Sequence, residues 1–294
     1  VTHHYLPAWS GGGATYDDAA PPPPATLQIT AAPQDMATGV SYEEIGEWSR
    51  RRHASQGMGH WSDQPQKSWD LHLVAGAAEA NLAQSLPHSL AGLAALAGPA
   101  AQSITQAAED IAKAQSAFPH RQAIMAALAK ADAALESAQQ LATPEFLARH
   151  GHRLARKRRE IGVALAESAG LSLIVTVKPA RLALGQSGML HVGQTTPFDA
   201  TDIVLRPCLP PGVAAAQTPM QASFTKVPVA VAEDAPFPPA FTAAFDPLGG
   251  NGCGWLDVSA SIAGRRVTLS LDPEVPLAVV PKHSFASQPA QFIR

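Results

Sequence analysis

Cysteine is almost missing from this chain: two residues in 294, Cys208 and Cys253, both in the C-terminal third. Two thiols that far apart form one disulfide or none, so this is no disulfide scaffold, and their number does not fix the redox compartment. Tyrosine is nearly as scarce, with 3 residues, and charged side chains make up 15% with a net charge of −3. That near-neutral balance gives no electrostatic case for nucleic acid or a membrane surface as partner. No apolar run reaches the roughly 18 residues a membrane-spanning helix needs, so no transmembrane segment is expected. Walker, dinucleotide-binding and Cys-x-x-Cys patterns are absent. Ala8-Trp9-Ser10-Gly11-Gly12 is not a nucleophile elbow, because the leading glycine of Gly-x-Ser-x-Gly is missing.

What remains is 46% hydrophobic and rich in alanine, with 26 prolines and 22 glycines, a composition of bacterial type. It is a soluble globular balance, with length for two or three compact units. Val1–Leu6 reads as the interior of a strand with no export signal before it, the pattern expected of a fragment. A Ser-Gly-Gly-Gly turn (Ser10–Gly13), the pair Asp17 and Asp18, and a stiff run Pro21–Pro24 follow. Asp17 and Asp18 read as a turn rather than an acid–base pair. Thr26–Thr30 alternates like a strand.

Ser41 with Glu44 three residues on forms a capping box for a helix carrying Ile45, Trp48 and Arg52 at helical spacing. Gly57 and Gly59 are expected to end it. The stretch His60–Asp70, with Pro65 and polar filler, reads as a loop. From about Ser85 to Ala169 alanine and leucine recur with helical period, interrupted at Pro99 and Pro119. Thr143-Pro144-Glu145 supplies a cap, a proline at the first helical position and an acid in the first turn. Leu147, Leu154, Ile161 and Leu165 then form one stripe, and Gly170 stops the helix. A bundle of three or four helices is predicted.

The period then changes to two. Leu171, Leu173, Val175 and Val177 alternate with Ser172 and Thr176, and Val227, Val229 and Val231 suggest a further strand in which Pro228 predicts an edge position. Leu256 to Ile262, Ala263-Gly264 and Val267 to Leu271 read as a hairpin. Short strands between turn-rich loops argue for an immunoglobulin-like β-sandwich.

Placed in order, these residues resemble the PIG-L family, also called LmbE-like zinc-dependent N-deacetylases. His4-Tyr5-Leu6-Pro7-Ala8-Trp9-Ser10-Gly11 with Tyr16-Asp17-Asp18 looks like the strand and loop after that family's second metal motif. Arg52-His53-Ala54-Ser55-Gln56 is similar to the basic-x-His-x-Ser/Thr-Gln signature closing its catalytic domain. His152-Arg153-Leu154-Ala155-Arg156-Lys157-Arg158 and the helix to Gly170 look like the large members, which add a helical insert and β-sandwiches. The resemblance implies a C-terminal remnant of a Rossmann-like α/β deacetylase domain over 1–60, a linker over 61–84, a helical bundle over 85–170, a β-sandwich over 171–281, and a linker or new domain over 282–294.

It also implies a parent enzyme that removes acetyl from an N-acetylglucosamine-like sugar or glycoconjugate with zinc-activated water. The family's His-Pro-Asp-Asp and His-Pro-Asp-His type segments are absent, and the chain has no His-Pro dipeptide. Zinc is therefore expected in the intact parent, with no metal ligand in this chain and the base upstream of Val1, and the sequence leaves any catalytic residue of this chain unassigned. His53 and Gln56 remain as substrate-binding residues. Appended sandwiches point to an extracytoplasmic parent.

Other candidates carry less. His3 and His4 are neighbours on a strand and point to opposite faces. His150 and His152 lie about 200° apart on a helix, poor for sharing a metal. The basic run Arg153, Arg156, Lys157, Arg158 and Arg159 reads as a solvated face. The alternative to an enzyme piece is a non-catalytic glycan- or protein-binding module. Its site would be Trp255 and the loop Phe245–Gly254, unless Trp255 plugs the sandwich core, the reading the pattern favours.

Overall fold

A computed structural model describes residues 3–8, 23–30, 34–35, 38–56, 68–82, 84, 86–194, 197–220, 223–238 and 245–283. Ser10–Gly13, Asp17, Asp18, Gly57, Gly59 and everything from 284 on lie outside the described residues. The chain divides into two units, Val1–Pro87 and His88–Arg294.

The first unit holds an antiparallel sheet of β1 (His4–Pro7), β2 (Leu27–Thr30) and β3 (Ser68–Ala75), with β3 in the middle. Leu71 sits opposite both Leu27 and Pro7, and Trp69 opposite Ile29. β3 lies inside the stretch expected to be a linker, which corrects that expectation. Trp69, Leu71 and Leu73 alternate with Asp70 and His72, a strand period masked by the polar residues before it. Helix α1 (Tyr42–Arg51) starts where Ser41 Oγ accepts from the Glu44 amide at 3.2 Å.

The second unit begins with four helices: α2 (Leu90–Ala94), α3 (Ala101–Ser116), α4 (Arg121–Leu141) and α5 (Pro144–Ser168). Thr143 Oγ1 caps α5 by accepting from the Phe146 amide at 3.3 Å, with Pro144 at the first helical position. Strands β4 (Leu173–Lys178), β5 (Arg181–Ala183), β6 (Ser187–Gln194), β7 (Thr201–Cys208) and β8 (Val213–Ala215) follow. The last five are β9 (Thr218–Pro219), β10 (Phe224–Val231), β11 (Trp255–Ile262), β12 (Arg265–Leu271) and β13 (Ala278–Val280). They make two four-stranded antiparallel sheets, β4-β6-β10-β8 and β12-β11-β7-β9, and a parallel β13-β5 ribbon.

One face of the β11–β12 hairpin serves two cores. Leu256 and Val258 meet Val175, Val192 and Val229 from the facing sheet. Two and four residues further along β11, Ala260 and Ile262, with Val267 and Leu269 of β12, pack against Leu154, Ile161 and Leu165 of α5. Full burial of such a side chain contributes roughly 1.5–3 kcal/mol, so helices and sheet stabilise one another through this face. The hairpin turns at Ala263 (φ 47°) and Gly264 (φ 74°), the left-handed pair that a two-residue connection matching strand twist requires.

Pro228 is not on an edge strand, because β10 lies between β6 and β8. The proline is tolerated for a local reason. Ala232 donates toward the β8 side, to Gly212, and Pro228 shares that parity, but β8 pairs only with Val229 to Val231. The missing donor thus points past the end of β8.

Candidate functional site

His53 and Gln56 follow directly on α1. The His53 amide donates to the Arg50 carbonyl and the Gln56 amide to the His53 carbonyl, both at 2.9 Å, forming a short 3-10 turn over Ala54–Gln56. That turn brings the side chains together: His53 Nδ1 lies 3.0 Å from Gln56 Oε1 and, when protonated, donates to it. Both are exposed. The arrangement leaves imidazole Nε2 and the Gln56 amide nitrogen as the outward hydrogen-bonding groups of the pair.

His3 is half-buried, 3.7 Å from Glu79, which also accepts from the Tyr5 hydroxyl at 3.2 Å; His4 is exposed. Burial and this carboxylate both push the Tyr5 hydroxyl above its ordinary value. His150 tilts against Phe146 with ring centroids 5.2 Å apart, and burial, then Arg153, His152 and Arg149, lower its pKa. Among the described residues no three His, Cys, Asp or Glu side chains converge to hold a metal ion. Among the described residues the donor set does not fit a zinc centre.

The basic run of α5 is not the solvated face its composition suggests. Residues 156–159 advance about 100° each, so they fan around most of the helix. Arg158 turns to α4, where its Nε donates to Asp132 at 2.8 Å and a terminal nitrogen to Glu136 at 3.2 Å. Arg265 of β12 reaches the same two carboxylates at 2.7 and 2.6 Å, closing a four-membered ion network across α4, α5 and β12. Arg265 first of all holds the Glu136 carboxyl below the usual range against the opposing effect of burial. Arg159 donates to Asp246 at 2.7 Å, while Arg156 and Lys157 share Glu160.

Arg153, Arg156 and Lys157 also rim a cavity of about 570 Å³ between α2, α3 and α5, floored by Leu93, Ala108 and Ile111. A second cavity of about 290 Å³ adjoins it, lined by Phe118, Ile124, Leu128 and Ala164. The two share Ile111, Lys157 and Glu160. Sequence reasoning missed this furrow, since each helix contributes only alternate turns to it and no local motif marks it.

Trp255 is half-buried and lies outside the core between the sheets, which corrects the expectation that it plugs that core. Period-two alternation gives the inward places to Leu256 and Val258 and sends Trp255 and Asp257 to the other face. Asp257 accepts from Trp255 Nε1 at 3.0 Å, Ser270 Oγ at 2.8 Å, Arg206 at 2.6 Å and Cys208 Sγ at 3.3 Å. Burial works against its charge, yet these donors together hold the carboxyl below the ordinary range. Burial and the same carboxylate push the Cys208 thiol up, and both cysteines are free.

The loop after β10 is pinned over this region. Asn251 Nδ2 donates to Asp272 at 2.8 Å and to the Asp246 carbonyl at 2.9 Å. Together with the end of α5 the loop walls a cavity of about 400 Å³ in which Phe245 is 78% exposed.

No known family model matches the chain, and no curated protein does. Among solved structures, it is similar over 54% of its length to Pseudomonas fluorescens alkylpurine DNA glycosylase AlkC bound to DNA containing an abasic site analog. The identity is 15% and the TM-score 0.19, and the match spans 48%, about half, of that chain. At that score neither fold nor ligand carries over. No helix among the described residues is long and apolar enough to cross a membrane.

Proposed function

We propose that the chain is part of a zinc-dependent N-deacetylase of the PIG-L type acting on an N-acetylglucosamine-like sugar or glycoconjugate. In this reading the Rossmann-like domain contributes its last elements here, and His53 and Gln56 contact substrate. The zinc motifs are not in this sequence, so hydrolysis is not assigned to it. The observation that carries the reading is the His53–Gln56 pair, 3.0 Å apart and exposed at the end of a capped helix. A paired imidazole and amide offer a donor and an acceptor of fixed orientation, which suits a sugar hydroxyl or an acetamide.

The cavity beside Phe245 favours a second reading, in which an immunoglobulin-like sandwich serves as a glycan-binding module. Phe245 rather than Trp255 is then the stacking ring, because Phe245 lines that cavity with its ring exposed whereas Trp255 is half-buried and not among the lining residues. One titration separates the two. Amide spectra of the isotope-labelled chain are followed against N-acetylglucosamine and its short oligomers. Shifts confined to 53–56 and lost in Gln56→Ala support the deacetylase reading; shifts around 245–251 lost in Phe245→Ala support the module. No shift at either place at tens of millimolar sugar removes both.

A further inference from the structure

We propose that the cavity walled by Phe245 and the end of α5 binds a sugar bearing a free ammonium, an amino sugar without its acetyl group. The inference rests on the second reading above, that this cavity takes a sugar, and adds which sugar. It draws on an exposed ring, a preformed wall and an imbalance of charge.

The cavity measures about 400 Å³, within the range that small-molecule sites occupy. Val163, Leu171, Leu173 and Leu269 line it, and the Phe245 ring stands at its wall 78% exposed. A ring left open at a concave wall offers the flat apolar face on which the C–H face of a sugar stacks. The wall is preformed. The Gly250 and Asn251 amides both donate to Asp272 Oδ1, at 2.9 and 2.7 Å, and the Leu248 amide donates to Asp246 Oδ1 at 2.9 Å. Gly249, at φ 86°, lies so close to β12 that a Cβ there would run into the Ser270 carbonyl. Binding therefore costs little ordering of the loop.

Charge selects among sugars. Glu167, Asp246 and Asp272 line the cavity, and among the described residues no Lys, Arg or His does. Asp246 is paired with Arg159 and Arg156, so its charge is already met. The other two are not paired in this way. Asp272 accepts from Asn251 Nδ2 and two backbone amides, all neutral donors, and keeps its charge. The Glu167 side chain accepts no hydrogen bond and meets no cation among the described residues. The C-terminal end of α5 adds the negative pole of its dipole at the same wall. An ammonium here gains charge-assisted hydrogen bonds without displacing another cation. An acetamido group at the same carbon is neutral and gains none of them, and an acidic sugar would meet like charge. Amide hydrolysis is the class of reaction that makes such a ligand from an N-acetylated sugar.

The test follows amide spectra of the labelled full chain at low salt and about pH 6, where the amine is protonated. The probes are the same β-linked trimer built of glucosamine, of N-acetylglucosamine and of glucose. All three are expected to shift 245–251, the glucosamine trimer with a dissociation constant on the order of 1 mM and the other two at least about tenfold more weakly. Glu167→Gln combined with Asp272→Asn is expected to erase that preference while the neutral trimers bind as before. Because Asp272 also holds the loop, Glu167→Gln alone serves where the double variant disturbs the spectrum; it should cost the glucosamine trimer about threefold and the others nothing. Equal binding of the three trimers, or a preference that survives these substitutions, overturns the proposal and leaves the sugar-binding reading standing. No shift at 245–251 with any trimer at tens of millimolar overturns both.

Discussion

In the second unit Ile104, Leu135, Leu154 and Leu165 are fully enclosed, whereas among the described residues of the first only Ala8, Leu27 and Pro87 are buried. There, Leu6, Tyr42, Trp48 and Val74 remain 43–62% exposed. Both units combine helix with antiparallel sheet, so the contrast is not one of secondary structure. Among the described residues it lies in whether helix and strands share a core. The second unit joins them through the β11–β12 face and then crosses the join with ion pairs. The first spends its apolar side chains along a thin sheet, and its polar pair His53–Gln56 stands at the surface.

The sharpest way to break that contrast is to open the shared core. Leu165→Ala removes an α5 side chain packed in the same core as Ala260 and Ile262, and is expected to cost about 3 kcal/mol. Helical circular dichroism and amide protection of the β11–β12 hairpin should be lost in one transition. A hairpin that stays protected while the helices melt would show that its stability comes from the core between the sheets and not from α5.

A smaller effect is expected at the ion network. Asp132→Ala leaves Arg158 and Arg265 with Glu136 as their one remaining shared carboxylate; losing one side of a buried pair costs 3–5 kcal/mol, but Glu136 stays and both guanidiniums reach water, so about 2 kcal/mol is expected. The same unit should be acid-sensitive. Folding depresses the Glu136, Asp110 and Asp257 carboxyls. Their stabilisation is present above the ordinary carboxylate value and is lost as pH falls through the lower folded-state values. Urea midpoints of the second unit should therefore hold from pH 7 to about 5 and drop below about 4. A flat profile down to pH 3, or an unshifted Asp132→Ala, would mean the network contributes nothing.

How much of this was readable in advance follows from range. Thr143-Pro144-Glu145, Ser41 with Glu44 and Ala263-Gly264 act within four residues, and each cap or turn forms as its residues dictate. Mixed helix and antiparallel sheet followed from the change of period at Leu171. The failures at Pro228, Trp255 and the basic run of α5 are matters of what lies opposite. Composition shows five basic residues in a row of seven on α5, but not that Asp132, Glu136 and Asp246 on other segments await Arg158 and Arg159. Alternation shows Trp255 and Leu256 on opposite faces, but not which face the other sheet covers. At the candidate site the i, i+3 spacing of His53 and Gln56 foretells their contact; the furrow, made by side chains on separate helices such as Ile111 of α3 and Lys157 of α5, has no such local mark.

The smallest expected effect is at Gln56, and it bears most directly on what the first unit is for. Gln56→Ala deletes one exposed side-chain hydrogen bond to His53. Surface changes of this kind usually stay within about 0.5 kcal/mol, and the backbone turn from His53 to Gln56 keeps its own amide bonds. Hydrogen exchange over α1 should then be unchanged, while the His53 ring loses the partner that fixes its orientation and its side-chain resonances broaden or shift. Loss of more than about 1 kcal/mol would instead make Gln56 a strut of the turn. The exposed pair would then explain the stability of α1 rather than a contact with ligand, and the two units would differ in degree of packing alone.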